Sequence, residues 1–179
     1  MKKWHKIVSS VLFLVIVGYG FLYTTQNKTI VKNNPQPAIV LPSTCHSTGV
    51  LPDAHCTPGE INKAVTQDTI HSTICVKGYT KTIRPPVSYT EPLKIQQIKA
   101  YGYSHTNPMD FEEDHFIPLE VGGSPTDPHN LWPEPRYTAP NSFDKDKVEN
   151  LCNEKVCTGQ ITLAEAQKEI MRDWTAACQ

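Results

Sequence analysis

Two adjacent residues, Asp114 and His115, carry the strongest chemical signal in this chain. They lie in the largely apolar run Phe111-Glu-Glu-Asp-His-Phe-Ile-Pro-Leu-Glu-Val121, which is followed by Gly122-Gly123 and later by Asn130-Leu-Trp132. A carboxylate can hold a divalent metal ion, and a neighbouring imidazole can take a proton from water. The pair therefore predicts hydrolytic chemistry in which a metal ion and a general base divide the work.

The order Asp-His, Pro-Leu, Gly-Gly and Asn-Leu resembles the HNH endonucleases, whose active site is a small ββα-metal unit. The resemblance covers residues 111 to 146. It implies that Asp114 is a metal ligand, that His115 is the general base and that Asn130 pins the loop by side-chain hydrogen bonds. It also implies one divalent ion as cofactor, with Mg²⁺ expected first and Mn²⁺, Zn²⁺ or Ni²⁺ as alternatives.

The family's last signature position is a His or Asn on the following helix that completes the metal site, in the form Asn-x-x-Lys. Asn141 is the nearest match, although one extra residue separates it from Lys145. The resemblance therefore implies Asn141 as the second ligand, with Asp144 as the alternative. A wider group of small exported bacterial proteins of HNH type has further segments in the same order, namely Thr57-Pro-Gly59, Thr73-Ile-Cys75, Arg84-Pro-Pro86 and Asn130-Leu-Trp-Pro-Glu134.

The charge distribution restricts how a nucleic acid could be bound. The chain has 17 basic and 18 acidic side chains, but after residue 30 the balance is 13 to 18, a net charge of −5. Proteins that bind nucleic acids without specificity usually run basic. Contact with phosphates is therefore predicted for the metal ion and for one local basic stretch, which consists of Lys77, Lys81, Arg84, Lys94 and Lys99.

The elements that must position the site are predicted from apolar spacing and from turn residues. Residues 111–121 are expected to form a strand that enters a turn at Gly122-Gly123. Residues 124–140 contain five prolines and are expected to form an ordered loop. A helix is predicted from about Ser142 to Cys157. A last helix should begin after Thr162, which forms a capping-box pattern with Glu165, and should continue to the C-terminus.

Upstream of the site, the sequence predicts a helix that begins near Thr90, with Gly102 as its end signal. Between Cys45 and Pro86 the chain is rich in Pro, Gly and Thr, and short strands are predicted at 73–76 and 79–83. The predicted fold class is α+β: an HNH-like ββα-metal unit with additional helices and a loop-rich, disulfide-stabilised N-terminal layer.

The first 30 residues differ in character from the rest. A lysine-rich start precedes the apolar run Ile7 to Tyr23, whose 17 residues span about 25 Å as a helix, near the lower limit for crossing a bilayer. Residues 1–30 are predicted to be a signal anchor, or alternatively a cleaved signal peptide. Residues 31–44 are then an extended tether and residues 45–179 the domain, located in the periplasm or at the cell surface, or secreted if the N-terminus is cleaved.

The cysteine content agrees with export. All six cysteines lie beyond the apolar run, and an even number in an oxidising compartment predicts up to three disulfides. Cys45 and Cys56 enclose a short loop and are the easiest pair to close. Cys152 and Cys157 point to different faces of one helix and should be hard to bridge. A structural zinc site is the competing use, although no Cys-x2-Cys pair is present.

These features predict a metal-dependent endonuclease that hydrolyses DNA outside the cytoplasm. Low sequence specificity is expected because no helix-turn-helix or zinc-finger reader is present. DNA and the membrane are the predicted partners, and the sequence indicates no protein partner. The alternative hypothesis is a non-catalytic surface or envelope binding module on an HNH scaffold. A metal site that the following helix completes would favour the enzyme over the module.

Overall fold

A two-stranded sheet and the helices packed around it form the frame of the domain. A computed structural model describes residues 44–179. Its helices and strands are α1 (Tyr79–Ile83), α2 (Val87–Ala100), β1 (Phe111–His115), β2 (Leu131–Pro135), α3 (Ser142–Cys157) and α4 (Leu163–Asp173). Single turns of 3₁₀-helix lie at Ile70–Ser72, Pro108–Asp110, Leu119–Val121, Pro128–Asn130 and Trp174–Ala176. The predicted α+β class is confirmed.

β1 and β2 pair antiparallel, and the chain between them forms a loop over residues 116–130. β1 is shorter than predicted: it ends at His115, whereas the strand was expected to continue to residue 121. The loop then makes a 3₁₀ turn after Pro118 and reverses at Gly122, whose φ of +81° suits glycine. Proline has no N–H to donate, so the chain cannot continue the ladder through Pro118.

β2 lies within the segment that was predicted to be an irregular loop, and that part of the prediction was wrong. Backbone bonds from Phe116 N to Asn130 O (2.8 Å) and from Arg136 N to Asp110 O (2.9 Å) flank the ladder. Because hydrogen-bonded pairs alternate along an antiparallel ladder, β2 contributes N–H groups from its even-numbered residues. Its prolines occupy the odd-numbered positions, 133 and 135, where the backbone nitrogen points away from β1.

α3 has the predicted bounds, whereas α4 begins where predicted but ends at Asp173 instead of continuing to the C-terminus. α3 begins after Asn141, which forms a capping box with Asp144, and α4 begins after Thr162, which forms one with Glu165. These caps are local hydrogen bonds between side chains and backbone, so short-range sequence is enough to predict them.

The N-terminal layer differs from the prediction. α2 begins at Val87, three residues before Thr90, because the extended backbone of Pro86 already provides the helix entry. Residues 79–83 form α1 instead of a strand, and residues 73–76 form turns. A strand needs a hydrogen-bonded partner, and the layer offers only isolated bridges in the described part of the chain, such as Ile61 to Gly123.

Two apolar clusters pack on either side of the loop that joins the strands. Ile117 and Val121 belong to the larger cluster, which α3, α4 and the 3₁₀ turn at Trp174 complete. Phe116 belongs to the smaller one, with Trp132, Tyr101 and the Cys45–Cys56 disulfide. Trp132 is 2% exposed, so it packs in the core and does not present a stacking face.

Three disulfides connect the layers, as predicted for an oxidising compartment. They join Cys45 to Cys56, Cys75 to Cys157 and Cys152 to Cys178, and no free cysteine is left among residues 44–179. Cys152 and Cys157 do not pair with each other, in agreement with their placement on different faces of α3. With all six sulfurs oxidised, the alternative of a structural zinc site is not supported. The disulfides indicate an extracytoplasmic environment.

The prediction of a transmembrane protein is corrected for the part of the chain that the structure describes. Within residues 44–179 no helix has the length and apolar character that a membrane crossing requires. The predicted signal anchor of residues 1–30 and the tether of residues 31–44 lie, apart from Thr44, outside the described residues.

The disulfides should differ in what they contribute to stability. The Cys75–Cys157 bond closes a separation of 82 residues and the Cys45–Cys56 bond one of 11. Loop-closure entropy then predicts that Cys75→Ala/Cys157→Ala lowers the free energy of unfolding by about 2 kcal/mol more than Cys45→Ala/Cys56→Ala does. Urea denaturation of the two double variants measures this difference. Equal losses would show that the long loop is already restricted in the unfolded chain.

Candidate active site

His115 ends β1 with its ring held in one orientation. The side chain is 4% exposed, and Nε2 lies 3.0 Å from the carbonyl oxygen of Pro125. A carbonyl can only accept, so Nε2 carries the proton and Nδ1 has the free lone pair. Nδ1 has no partner in the described part of the chain and is not sealed from solvent. Burial lowers the pKa of His115, so the imidazole is neutral near pH 7.

The side chain of Asn130 holds the loop that supplies Pro125. Its Nδ2 donates to the carbonyls of Ile117 and Ser124, both at 3.0 Å, and its Oδ1 accepts from the Ile117 N–H at 2.9 Å. Asn130 has no exposed surface. These are the backbone hydrogen bonds expected of a loop-pinning residue.

Gly123 allows this contact between the two ends of the loop. A Cβ at this position would lie 1.8 Å from the carbonyl oxygen of Ile117 and 2.8 Å from Nδ2 of Asn130. The N-terminal layer holds the same loop from outside, because Gly59 N donates to His129 O (2.9 Å) and Ser124 N donates to Glu60 O (2.7 Å). The position of His115 therefore depends on contacts distant in sequence.

Asp114 contacts an ammonium group. Lys145 of α3 places its Nζ 2.5 Å from Asp114 Oδ2, 2.5 Å from Glu149 Oε1 and 2.9 Å from the carbonyl oxygen of His115. The Lys145 side chain is 1% exposed, and those of Asp114 and Glu149 are 13% and 14% exposed. Burial alone would raise the pKa of Asp114, but the charge of Lys145 outweighs it and holds that pKa below the ordinary value.

The side chain of Asn141, which the resemblance implied as the second metal ligand, makes its hydrogen bonds at the start of α3. Its Oδ1 caps α3 by accepting from Phe143 N (3.1 Å), and its Nδ2 reaches the carbonyl of Arg136. The alternative, Asp144, bonds the Asn141 N–H and the exposed Lys147. Both side chains thus make their hydrogen bonds at the start of α3, and it is Lys145 that contacts Asp114.

The described residues therefore do not fit a divalent ion at Asp114 in the predicted way. No group of three or more His, Cys, Asp or Glu that could hold a metal ion is present within residues 44–179. More decisively, the position in front of the Asp114 carboxylate is taken by Lys145. In the Asn-x-x-Lys pattern the ligand lies three positions before the lysine, and in this chain Ser142 occupies that position. Its buried hydroxyl has no hydrogen-bond partner in the described part of the chain.

Asp114 and His115 also do not share a face. β1 remains regular through His115, which pairs with Leu131, and neighbouring residues of a strand point to opposite faces. The two side chains therefore point to opposite faces of β1, and the His115 ring is buried.

Two acidic residues around Asp114, namely Glu134 and Glu149, were not predicted from the sequence as parts of the site. Burial raises the pKa of Glu134 to about 10, and the negative charge of Asp114 adds to this effect. Burial also raises the pKa of Glu149 to about 7 and that of Glu113 well above its ordinary value. The Lys145–Glu149 spacing of four residues was the available sequence signal, since it places both side chains on one face of a helix.

The predicted basic stretch does not form one surface. Lys94 is buried and bonded to Glu91 at 2.9 Å, so its assignment as a phosphate contact is corrected. Lys77 and Lys99 are exposed but line different grooves, and Lys81 is exposed on α1. Among these five basic residues, Arg84 is the one whose charge lowers the pKa of His115. The charge of Arg84 also acts to lower the pKa values of Glu120 and Asp146.

Comparisons of the chain with protein-family models, curated proteins and solved structures gave no match.

The hydrogen bonds of Asn130 generate a stability prediction. In Asn130→Asp, a carboxylate oxygen would face the carbonyls of Ile117 and Ser124, so two donors are lost in a buried site. We expect the free energy of unfolding to fall by about 2–4 kcal/mol, the range for leaving buried polar groups unsatisfied. The control is Asn150→Asp, because Asn150 is exposed and makes one bond to the backbone carbonyl of Asp146. Similar losses in both variants would contradict the pinning role.

The raised pKa of Glu134 generates a pH prediction. Between about pH 4.5 and 10 the carboxyl is protonated in the folded protein and ionised in the unfolded chain, so its contribution to stability falls as pH rises. Glu134→Gln keeps the shape and the donor without the charge. Relative to the parent protein, the variant should gain stability from pH 5 to pH 8, as measured by urea denaturation. The exposed Glu60→Gln serves as control, and parallel stability curves for Glu134→Gln and the parent would contradict the assignment.

Proposed function

We propose that this protein is an endonuclease of HNH type that hydrolyses phosphodiester bonds of DNA outside the cytoplasm, with His115 as general base. The observation that carries the proposal is the state of the His115 imidazole: it is neutral, its Nε2–H is fixed on a loop carbonyl and its Nδ1 is free to accept a proton. The order of β1, a loop pinned by Asn130, β2 and α3 supports the resemblance to a ββα unit.

His115 would act on the attacking water. As the water oxygen forms its bond to phosphorus, its proton passes to Nδ1 of His115, and the bond from phosphorus to the 3′ oxygen breaks. The leaving oxygen takes a proton from solvent, and the imidazolium returns its proton to solvent. A positioned base of this kind contributes about 10²- to 10⁴-fold to the rate.

Arg84 is proposed to supply positive charge for the substrate phosphate. It is exposed, and its charge acts on the base and on two acidic side chains nearby. Guanidinium groups suit phosphate because they present several donors in a planar fork. The divalent ion that the resemblance implied is not part of this proposal, because Lys145 already neutralises Asp114.

The low sequence specificity expected from the sequence fits this arrangement. A single cationic side chain beside the base would contact the phosphate backbone, which carries no sequence information. The extracytoplasmic setting follows from the three disulfides.

One observation favours a second function, a non-catalytic binding module. Asp114 is fully engaged by a buried lysine, and Asn141 caps a helix instead of completing a metal site. A protein that had lost catalysis would keep such a charge-balanced scaffold and bind its ligand without turnover. The two functions predict different results for the same assay.

The test is cleavage of plasmid and single-stranded DNA by the purified, oxidised full chain, assayed with Mg²⁺ and with EDTA. Endonuclease function requires cleavage in at least one of these buffers. His115→Ala should reduce the rate at least about 10²-fold. His71→Ala, which removes an exposed histidine outside the site, should leave the rate unchanged.

Unfolding curves of both variants separate loss of catalysis from loss of fold. No cleavage in either buffer, together with saturable DNA binding by fluorescence anisotropy, would favour the binding module. Cleavage by folded His115→Ala at the parent rate would remove His115 from the mechanism.

A further inference from the structure

We infer that the Lys145 ammonium is the resident cation of the Asp114 centre, so that this centre binds no divalent ion until that ammonium is removed. The inference concerns what occupies the centre and does not depend on whether the protein cleaves DNA. It also explains why a sequence that resembles a metal-dependent family lacks the expected second ligand.

The hydrogen bonds of Lys145 are saturated. An ammonium has three N–H donors, and the three acceptors here are the carboxylates of Asp114 and Glu149 and the carbonyl of His115. With 1% of its side chain exposed, Lys145 has no donor left for water or for a substrate. It is therefore a part of the centre and not a mobile surface group.

The geometry around Nζ is the geometry a small cation would need. Hard divalent ions bind oxygen at about 2.0–2.6 Å, and two of the three oxygens lie 2.5 Å from Nζ. An ion on these oxygens would occupy the volume of the ammonium group. Lysine and metal thus exclude each other at this position, and two positive groups so close together would also repel strongly.

Removal of the ammonium would leave a set of oxygen ligands. Two carboxylate oxygens that are each 2.5 Å from one point lie within about 5 Å of each other, close enough to share one ion. The His115 carbonyl, 2.9 Å from the same point, adds a neutral oxygen ligand. Lys145→Ala is therefore expected to create the divalent site that the intact protein lacks.

The charge balance favours the same conclusion. Asp114 and Glu149 converge on one lysine, and the buried carboxyl of Glu134 lies close enough to interact with both Asp114 and Lys145. Buried carboxylates require a cation or protonation. Lys145 satisfies this need within the chain, so the fold does not depend on a metal ion from its surroundings.

The experiment measures Mn²⁺ binding by electron paramagnetic resonance on the oxidised full chain. Four proteins are compared: the parent, Lys145→Ala, Lys145→Ala/Asp114→Asn and Lys147→Ala. Lys147 lies on the same helix but is 77% exposed and bonded to Asp144, so it is a matched control. We expect one Mn²⁺ site in Lys145→Ala, bound at least about tenfold more tightly than any Mn²⁺ in the other three proteins.

Two results would overturn the inference. One is a stoichiometric Mn²⁺ site in the parent protein that is absent from Lys145→Ala/Asp114→Asn. The other is a folded Lys145→Ala variant without Mn²⁺ binding. If Lys145→Ala does not fold, Lys145→Gln replaces it, and the parent titration still decides whether the centre holds a metal ion. DNA cleavage is not a readout, so loss of the proposed nuclease function would leave these results unchanged.

Discussion

A buried ammonium joins the end of β1 to α3, and the candidate site is arranged around it. Lys145 binds the carboxylate of Asp114, the carbonyl of His115 and the carboxylate of Glu149. Loss of one partner from a buried charged group of this kind costs about 3–5 kcal/mol, because the remaining charge stays in a medium that solvates it poorly. The contact thus fixes the strand end from which the His115 ring projects.

The single buried charge of Lys145 also determines which of the surrounding acidic side chains are protonated. One ammonium cannot neutralise Asp114, Glu149 and Glu134 together. Burial raises the pKa of Glu134 to about 10, so the Glu134 carboxyl remains protonated at neutral pH. Asp114, which has the direct contact with Lys145, keeps its charge. Neutral His115, on the other side of β1, has its proton fixed by the Pro125 carbonyl. Asp114, Glu134 and His115 therefore have defined charges at neutral pH before any ligand arrives.

The loop between the strands connects this electrostatic centre to the rest of the fold. Asn130 and Gly123 bring the two ends of the loop together, and the N-terminal layer bonds it from outside through Gly59 and Glu60. Disulfides secure that layer and the helices behind the loop. The contact between Pro125 and His115 therefore depends on contacts distant in sequence, which couples the orientation of the His115 ring to the stability of the whole domain.

Sequence alone determined the features that depend on short-range physics: the capping box of α4, the absence of a Cys152–Cys157 bridge, and the α+β class. It also located Asp114, His115 and the loop-pinning Asn130. It failed where the outcome depends on distant partners, as in β2, whose prolines are tolerated only because their nitrogens point away from β1. The identity of the cation at Asp114 likewise depends on a partner that is distant in sequence. The family resemblance implied Asn141, but the tertiary structure placed Lys145 there, because only packing decides which side chain one turn along α3 is buried against β1.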